Sequence, residues 1–243
     1  EGIVNIAKKH NLFIVADEIY HNMIYTGRST PYLAEVIGDV PAISMNSLSK
    51  EVPWPGARCA WIEVYNYGKD GDFDKYIQAI FKQKQAEVCS TTMPQMAIPK
   101  LMEHPEYNKY LDTRVRHYEK LASIAYNIMK DVPYIVVNRV NGAFYLSVIF
   151  NEAVLNERQY LEIENKEVRE YVRKLLQGNP EHDKRFAYNL LGATGICTVP
   201  LTSFFTDLPG FRITLLEKNA DKFEANIKTI AKKIVEYVES CKC

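Results

Sequence analysis

Cysteine is scarce in this sequence. Five occur in 243 residues: Cys59, Cys89, Cys197, Cys241 and Cys243. The number is odd and no pair has the CxxC spacing of a zinc or redox site, so neither a disulfide scaffold nor a structural metal is expected. Cys241 and Cys243 bracket a lysine at the C-terminus and read as a frayed pair of thiols rather than a metal site. The five histidines (His10, His21, His104, His117, His182) do not cluster. This usage fits a reducing, cytoplasmic protein. An excess of one charge is also missing: Lys+Arg and Asp+Glu both number 30. A general nucleic-acid or polyanion binder normally carries a basic excess, so that class is set aside. No apolar run approaches a membrane span, and no repeat or low-complexity segment occurs. There is no initiator methionine and no signal peptide. The chain opens Glu1-Gly2-Ile3-Val4, with Ile3, Ile6 and Ala7 at helical spacing, as though begun inside a helix. A fragment of a longer chain is therefore expected.

What the sequence does hold is the balance of a globular protein, 47% hydrophobic and 25% charged. Leu12–Ala16 is a short apolar run that fits a strand buried on both faces, ending abruptly at Asp17-Glu18. Residues 42–46 read as a second strand and Arg58–Val64 as a third, with Pro53, Pro55 and Gly56 marking the loop between. The alternation predicts a parallel α/β sheet. Tyr76, Ile77, Ile80, Phe81 and Val88 give an amphipathic helix, and Tyr107 to Met129 a long one. Residues 134–137 and 144–150 read as strands around the turn Asn141-Gly142. Glu164–Leu176 is a charged helix, and Thr194–Val199 and Phe211–Leu215 are expected strands. Phe223, Ile227, Ile230, Ile234 and Val238 form the stripe of a closing helix capped by Asn219. Two domains hinged near Pro105 follow, the second of α+β type. About three parallel strands are too few for a doubly wound sheet, which again points to missing upstream sequence.

Three features carry chemistry. Asp17 ends a buried strand, with Tyr20 three residues later. Ser47-Leu48-Ser49-Lys50 follows the second strand, and Pro55-Gly56-Ala57-Arg58 comes soon after. Arg212 sits inside an apolar strand. Ligands of open α/β sheets gather at the carboxyl ends of strands, where Asp17 and residues 47–50 fall. Each feature alone has a plainer explanation: a helix cap, a solvated lysine, a structural ion pair. Arg212 between Phe211 and Ile213 nonetheless needs a partner if buried, and a ligand carboxylate would serve. Glu18 is expected to point away as a surface acid, and His21 to be a surface residue. A metal on Asp17, Glu18 and His21 matches no standard spacing. Trp54 and Trp61 read as packing residues.

Together, Ala-Asp-Glu-Ile-Tyr (16–20), Ser-Leu-Ser-Lys (47–50), Pro-Gly-Ala-Arg-Cys-Ala-Trp (55–61), Gly-Ala-Phe-Tyr (142–145) and Phe-Arg-Ile-Thr (211–214) resemble the fold type I, class I/II aminotransferases that depend on pyridoxal phosphate. The resemblance covers the whole chain and about the C-terminal half to two-thirds of a typical member. It implies an α/β, PLP-dependent transferase-like fold. Residues 1–105 would be the C-terminal part of a mainly parallel-sheet, PLP-binding large domain. Residues 106–243 would be the small α+β C-terminal domain with its linking helix. Residues 151–190 are longer and more charged than the family's usual connection and read as an insertion used in contacts or lid motion.

The resemblance also implies roles. Lys50 forms the Schiff base with the aldehyde of pyridoxal 5'-phosphate and then shuttles the substrate Cα proton. Asp17 keeps the pyridine nitrogen protonated, making the ring a stronger electron sink. Tyr20 hydrogen-bonds the phenolic oxygen. Ser47, Ser49 and Arg58 complete the cofactor set, Ser47 and Arg58 holding the phosphate. Arg212 binds the substrate carboxylate, and closure of its domain completes the site. Amino-acid and 2-oxo-acid substrates, a homodimer, no nucleic acid and no membrane follow. The donor amino acid stays open. A PLP lyase or synthase of the same scaffold (a C–S β-lyase or an aminocyclopropane-carboxylate synthase) keeps the same residues, and a truncated non-catalytic module is the reading from another class.

Overall fold

Val4 and Ala7, rather than Ile3 and Ile6, face inward from the first helix. In a computed structural model, which describes residues 1–241, α1 spans Gly2–His10 and leaves Ile3 and Ile6 exposed. The described chain divides into two compact units, Glu1–Val115 and Arg116 onward. The sequence puts the hinge near Pro105; the division falls later, between Val115 and Arg116, inside helix α5 (Tyr107–Met129). Cys243, half of the terminal thiol pair, lies outside the described residues.

The first unit is built on a three-stranded sheet of β1 (Ile14–Asp17), β2 (Ala42–Ser47) and β3 (Ala60–Tyr65), in that order. β1 and β2 are parallel, with Asp17 opposite Met45. β3 is antiparallel to β2, Ser47 facing Ala60, so one of the three strands read as parallel runs the other way in a sheet expected to be mainly parallel. A parallel return needs a crossover, usually a helix. The stretch between β2 and β3 forms only a three-residue 3-10 turn, Pro55–Ala57, so the chain doubles back. β1 is also less buried than its apolar run suggests. Val15 is 50% exposed, because β1 is an edge strand among the described residues and has one neighbour to pair with.

Side chains alternate across the sheet, so each face collects its own core. On one face Val4 and Ala7 of α1 pack with Ala42 of β2 and with Leu33 and Ile37, at the start and end of the one-turn helix α2 (Leu33–Val36). On the other, Ile43 packs on Phe73 and Ile77 of α3 (Gly71–Gln85), whose N-cap Asp70 accepts from the amides of Asp72 and Phe73. Val88 lies beyond that helix and is exposed. A third cluster, Leu48, Ala57 and Cys59 with Trp61, rests on Ile98 and Leu101 of α4 (Thr92–Met102). It fixes the loop that follows β2.

The second unit has the antiparallel sheet β4-β5-β7-β6, with β4 Ile135–Val137, β5 Tyr145–Phe150, β6 Val199–Pro200 and β7 Gly210–Thr214. α6 (Lys166–Gln177) is capped by Asn165, and α7 (His182–Thr194) was not legible as a helix. The expected strand over 194–199 shrinks to Val199–Pro200, because α7 runs through Thr194 and ends on Gly195 with φ 75°. A left-handed residue of that kind favours glycine and stops a helix. α8 (Ala220–Glu239) buries Phe223, Ile227, Ile230, Ile234 and Val238, and the Asn219 side chain accepts from the amides of Asp221 and Lys222. Phe186 of α7 is the centre of the core, with ring centres 5.1 Å from Phe150, 5.4 Å from Phe211 and 5.2 Å from Tyr237. The stretch 151–190 belongs to this core. Gln159 is buried and donates to the carbonyl of Val154, while Arg185 donates to those of Glu157 and Leu176. No helix among the described residues is long and apolar enough to cross a membrane.

Candidate active site

Parallel pairing puts the carboxyl ends of β1 and β2 at the same edge of the first unit. Asp17 ends β1 and Ser47 ends β2. Asp17 is exposed, and one of its oxygens accepts from the amide of Ile19 at 3.2 Å. This bond starts the run of turns that carries Tyr20, where His21 N donates to Glu18 O and Met23 N to Tyr20 O. The Lys50 ammonium lies over the Tyr20 ring, 5.7 Å from its centre, within cation–π range. Both residues are half-buried. Residues called out from two distant stretches of sequence therefore meet.

The loop from Ser47 to Arg58 is locally tied. The buried Ser47 hydroxyl oxygen accepts from Ser49 N at 3.1 Å. Leu48, fully buried, exchanges backbone bonds with Cys59 and Trp54. Arg58 has φ 47° and is exposed, its guanidinium donating to the carbonyl of Pro55 at 3.0 Å. The structure thus brings Asp17, Tyr20, Ser47, Ser49 and Lys50 to one end of the first sheet, with Arg58 in the loop that returns from it.

Arg212 is described in the second unit. It stands on β7 opposite Ser147 of β5, with Tyr145 two residues along the same face. Its guanidinium carbon lies 4.3 Å from the centre of the Tyr145 ring and 4.2 Å from that of Phe204. Two aromatic rings thus lie within cation–π range of one guanidinium, a setting that suits arginine better than lysine. Its Nε is buried and makes no hydrogen bond among the described residues.

Six residues of these surroundings escaped the sequence: Glu51, Asn22, Tyr107, Tyr32, Asp183 and Phe204. Glu51, beside Lys50, is 2% exposed, and its carboxylate accepts from Asn22 N and Asn22 Nδ2, both at 3.1 Å. Tyr107 donates to the same carboxylate at 3.4 Å. Burial first, and then the Glu51 charge, push the Tyr107 phenol up to about 12. Burial likewise raises Tyr32, against the opposing bond it donates to Asn22 Oδ1 at 2.8 Å. In the second unit Asp183 is fully buried and accepts from Thr202 N, Thr202 Oγ1 and Gly210 N at 2.9, 2.7 and 3.3 Å. Phe204, against the Arg212 guanidinium, carried no signal in the sequence. The single signal for Glu51 and Asn22 was proximity to Lys50 and Tyr20.

Two expectations are corrected. Glu18 is no free surface acid: half-buried, it accepts from Leu33 N at 2.7 Å and holds the start of α2, whose first amides lack helical partners. His21 is half-buried and stacks on Tyr32, ring centres 3.4 Å apart. Among the described residues no cluster of His, Cys, Asp and Glu could hold a metal.

Comparison with known proteins identifies the family. A model of the family described as aminotransferase class I and II matches residues 1–230. An uncharacterized aminotransferase of Methanocaldococcus jannaschii is 49% identical over 238 residues, which is 98% of this chain and 55% of that protein. A tyrosine aminotransferase of Caenorhabditis elegans is 33% identical over 61% of this chain and 31% of its own length. Among solved structures, an aminotransferase from Escherichia coli superposes with a TM-score of 0.76 at 23% identity, over 97% of this chain and 52% of that one. An alanine aminotransferase from Pyrococcus furiosus gives 0.75 at 22% identity over 96% and 52%. These likenesses in structure show the fold, and the chain spans little more than half the length of the Methanocaldococcus, Escherichia and Pyrococcus proteins. On the family match, this chain is a member of the class I and II aminotransferases.

Proposed function

We propose that this chain is the part of a PLP-dependent aminotransferase that carries its reactive lysine, Lys50, and that the whole protein moves an amino group from an L-amino acid to 2-oxoglutarate. The observation that carries this is the Lys50 ammonium over the Tyr20 ring at the strand end that also bears Asp17. An amine, a carboxylate, a phenol, two serine hydroxyls and a guanidinium at one sheet edge are a donor set that fits pyridoxal 5'-phosphate. Bound there, the cofactor would supply an aldehyde and an electron-accepting ring. Lys50 is the amine for that aldehyde and the base that takes and returns the substrate Cα proton. Asp17 holds a proton at the ring nitrogen. Tyr20 donates to the ring's phenolic oxygen, and Ser47, Ser49 and Arg58 hold the phosphate.

Arg212 takes the substrate carboxylate. Tyr145 and Phe204 lie within cation–π range of its guanidinium, whose parallel N–H groups favour a bidentate pair with a carboxylate. Its buried Nε, with no acceptor among the described residues, supports that role. The homodimer and the cytoplasmic location rest on family resemblance and cysteine usage.

The test is borohydride trapping of the cofactor on the protein isolated from its own cells, followed by peptide mapping and a product assay. We expect label on Lys50 and glutamate formed from 2-oxoglutarate. Label scattered over surface lysines overturns the site. Label on Lys50 with release of pyruvate and ammonia from a single substrate keeps the site and replaces the transaminase with a lyase.

A further inference from the structure

We infer that Glu51 is a positioning residue that locks the Lys50 loop to the Tyr20 turn, acting through Asn22. The inference rests on the assignment of Lys50 as the cofactor's lysine. Glu51 is charged and 2% exposed, and a carboxylate in that setting is costly unless its oxygens are satisfied. They are satisfied in a directed way. Oε1 accepts from the backbone amide of Asn22, and Oε2 from the side-chain amide of the same residue. One acid thus grips one residue twice, and that residue is two positions from Tyr20. On the other side of the peptide, Glu51 is covalently next to Lys50. The two residues whose side chains meet, Lys50 and Tyr20, are therefore joined a second time behind the contact.

Asn22 is itself held. Its Oδ1 accepts from the Tyr32 hydroxyl at 2.8 Å, which fixes the amide orientation and directs Nδ2 at Glu51. Helix α5 holds the other end. Arg114 donates to the backbone carbonyl of Glu51, and Tyr107 to its carboxylate. At 2% exposure the carboxylate is closed to a ligand, so its effect on chemistry is indirect. Satisfied polar networks of this kind hold one geometry where apolar packing allows several.

The pairing prescribes its own repair. Glu51→Gln turns an N–H toward the Asn22 N–H, because Asn22 Oδ1 is already taken by Tyr32. Asn22→Asp sets two carboxylates face to face. Together, E51Q and N22D restore the bond with donor and acceptor exchanged. The readout is the rate at which Lys50 in the cofactor-free protein is trapped by pyridoxal phosphate and borohydride, compared with the thermal midpoint of the same sample. We expect each single substitution to slow trapping about tenfold, and the pair to recover to within about threefold of the wild type. Thermal midpoints alone changing, with Lys50 trapped at the wild-type rate, overturns the inference and leaves Glu51 a structural residue. A pair no faster than the singles also overturns it. Should wild-type Lys50 itself go unlabelled, the cofactor assignment falls, and the positioning role falls with it. Should a single variant not fold, recovery of both folding and trapping in the pair supports the link, and recovery of folding with slow trapping overturns it.

Discussion

The two units hold their charged candidate residues by different physics. In the first, the Lys50 loop is positioned by hydrogen bonds, and the groups around it are partly open to solvent: Asp17 and Arg58 are exposed and Lys50 half-buried. In the second, Arg212 lies against two aromatic rings, and the backbone leading to Phe204 and to Arg212 is fixed by one buried acid. Asp183 binds Thr202, two residues before Phe204, and Gly210, two residues before Arg212. The difference teaches what each can tolerate. A stacked cation above a close-packed sheet has few alternative arrangements, whereas a polar loop can rearrange and still satisfy its groups.

The contrast can be broken first at Gly210. A Cβ there would fall well inside contact distance of the Val148 carbonyl oxygen and 3.1 Å from Ile149 Cα, and the paired backbone of β5 cannot yield easily. Gly210→Ala is expected to cost about 3 kcal/mol, read as a lowered midpoint in denaturant unfolding. Next in size, Arg212→Lys keeps the charge but loses the planar fork and the stacking, and should lower kcat/KM by about a hundredfold with little change in midpoint. If lysine serves as well, the aromatic clamp is packing and no more. Asp183→Asn points an N–H at a pocket of donors and should cost about 2 kcal/mol, since a buried group is left unsatisfied. Asn219→Ala removes the cap of α8 and should cost about 1 kcal/mol, measured the same way.

The smallest effect spans both units. Tyr107 and Tyr237 are each raised from 10.0 to about 12, Tyr107 by burial and the Glu51 charge, Tyr237 by burial against the opposing charge of Arg185. The neutral phenol is the form the fold favours. Its contribution is whole below pH 10 and is lost as pH rises towards about 12, because the unfolded chain ionises first. Unfolding midpoints measured across that window should fall with pH, and Tyr237→Phe should flatten part of the fall. A slope unchanged in that variant would assign the loss to Tyr107 and the first unit.

Legibility followed the range of the forces. The closing helix was readable residue by residue, because its stripe and its Asn219 cap are local. So was α5, a long stretch without glycine or proline. α7 was missed because its inward face is partly polar: Asp183, Arg185 and Asn189 are buried beside Phe186 and Leu190. Such residues read as surface until their partners are known. Lys50 and Asp17 were legible through the order of several short motifs. Glu51 was not, since its partner Asn22 stands 29 positions away. The buried face of α1 was not legible for the same reason: Val4 and Ala7 pack on Leu33, Ile37 and Ala42, which the helix's own sequence does not show, and of the spaced set Ile3, Ile6 and Ala7 only Ala7 is buried.

The sequence by itself determined where most helices and strands lie and the order of motifs that marks the family. Those are set by spacing, caps and turn residues within a few positions of each other. Only the tertiary structure decided that β3 runs antiparallel, that Glu51 and Asp183 are buried and hydrogen-bonded, and that Arg212 has two aromatic rings against its guanidinium. Each of these depends on which distant residue arrives opposite, and the free energy that selects it is realised only when the two stretches pack together.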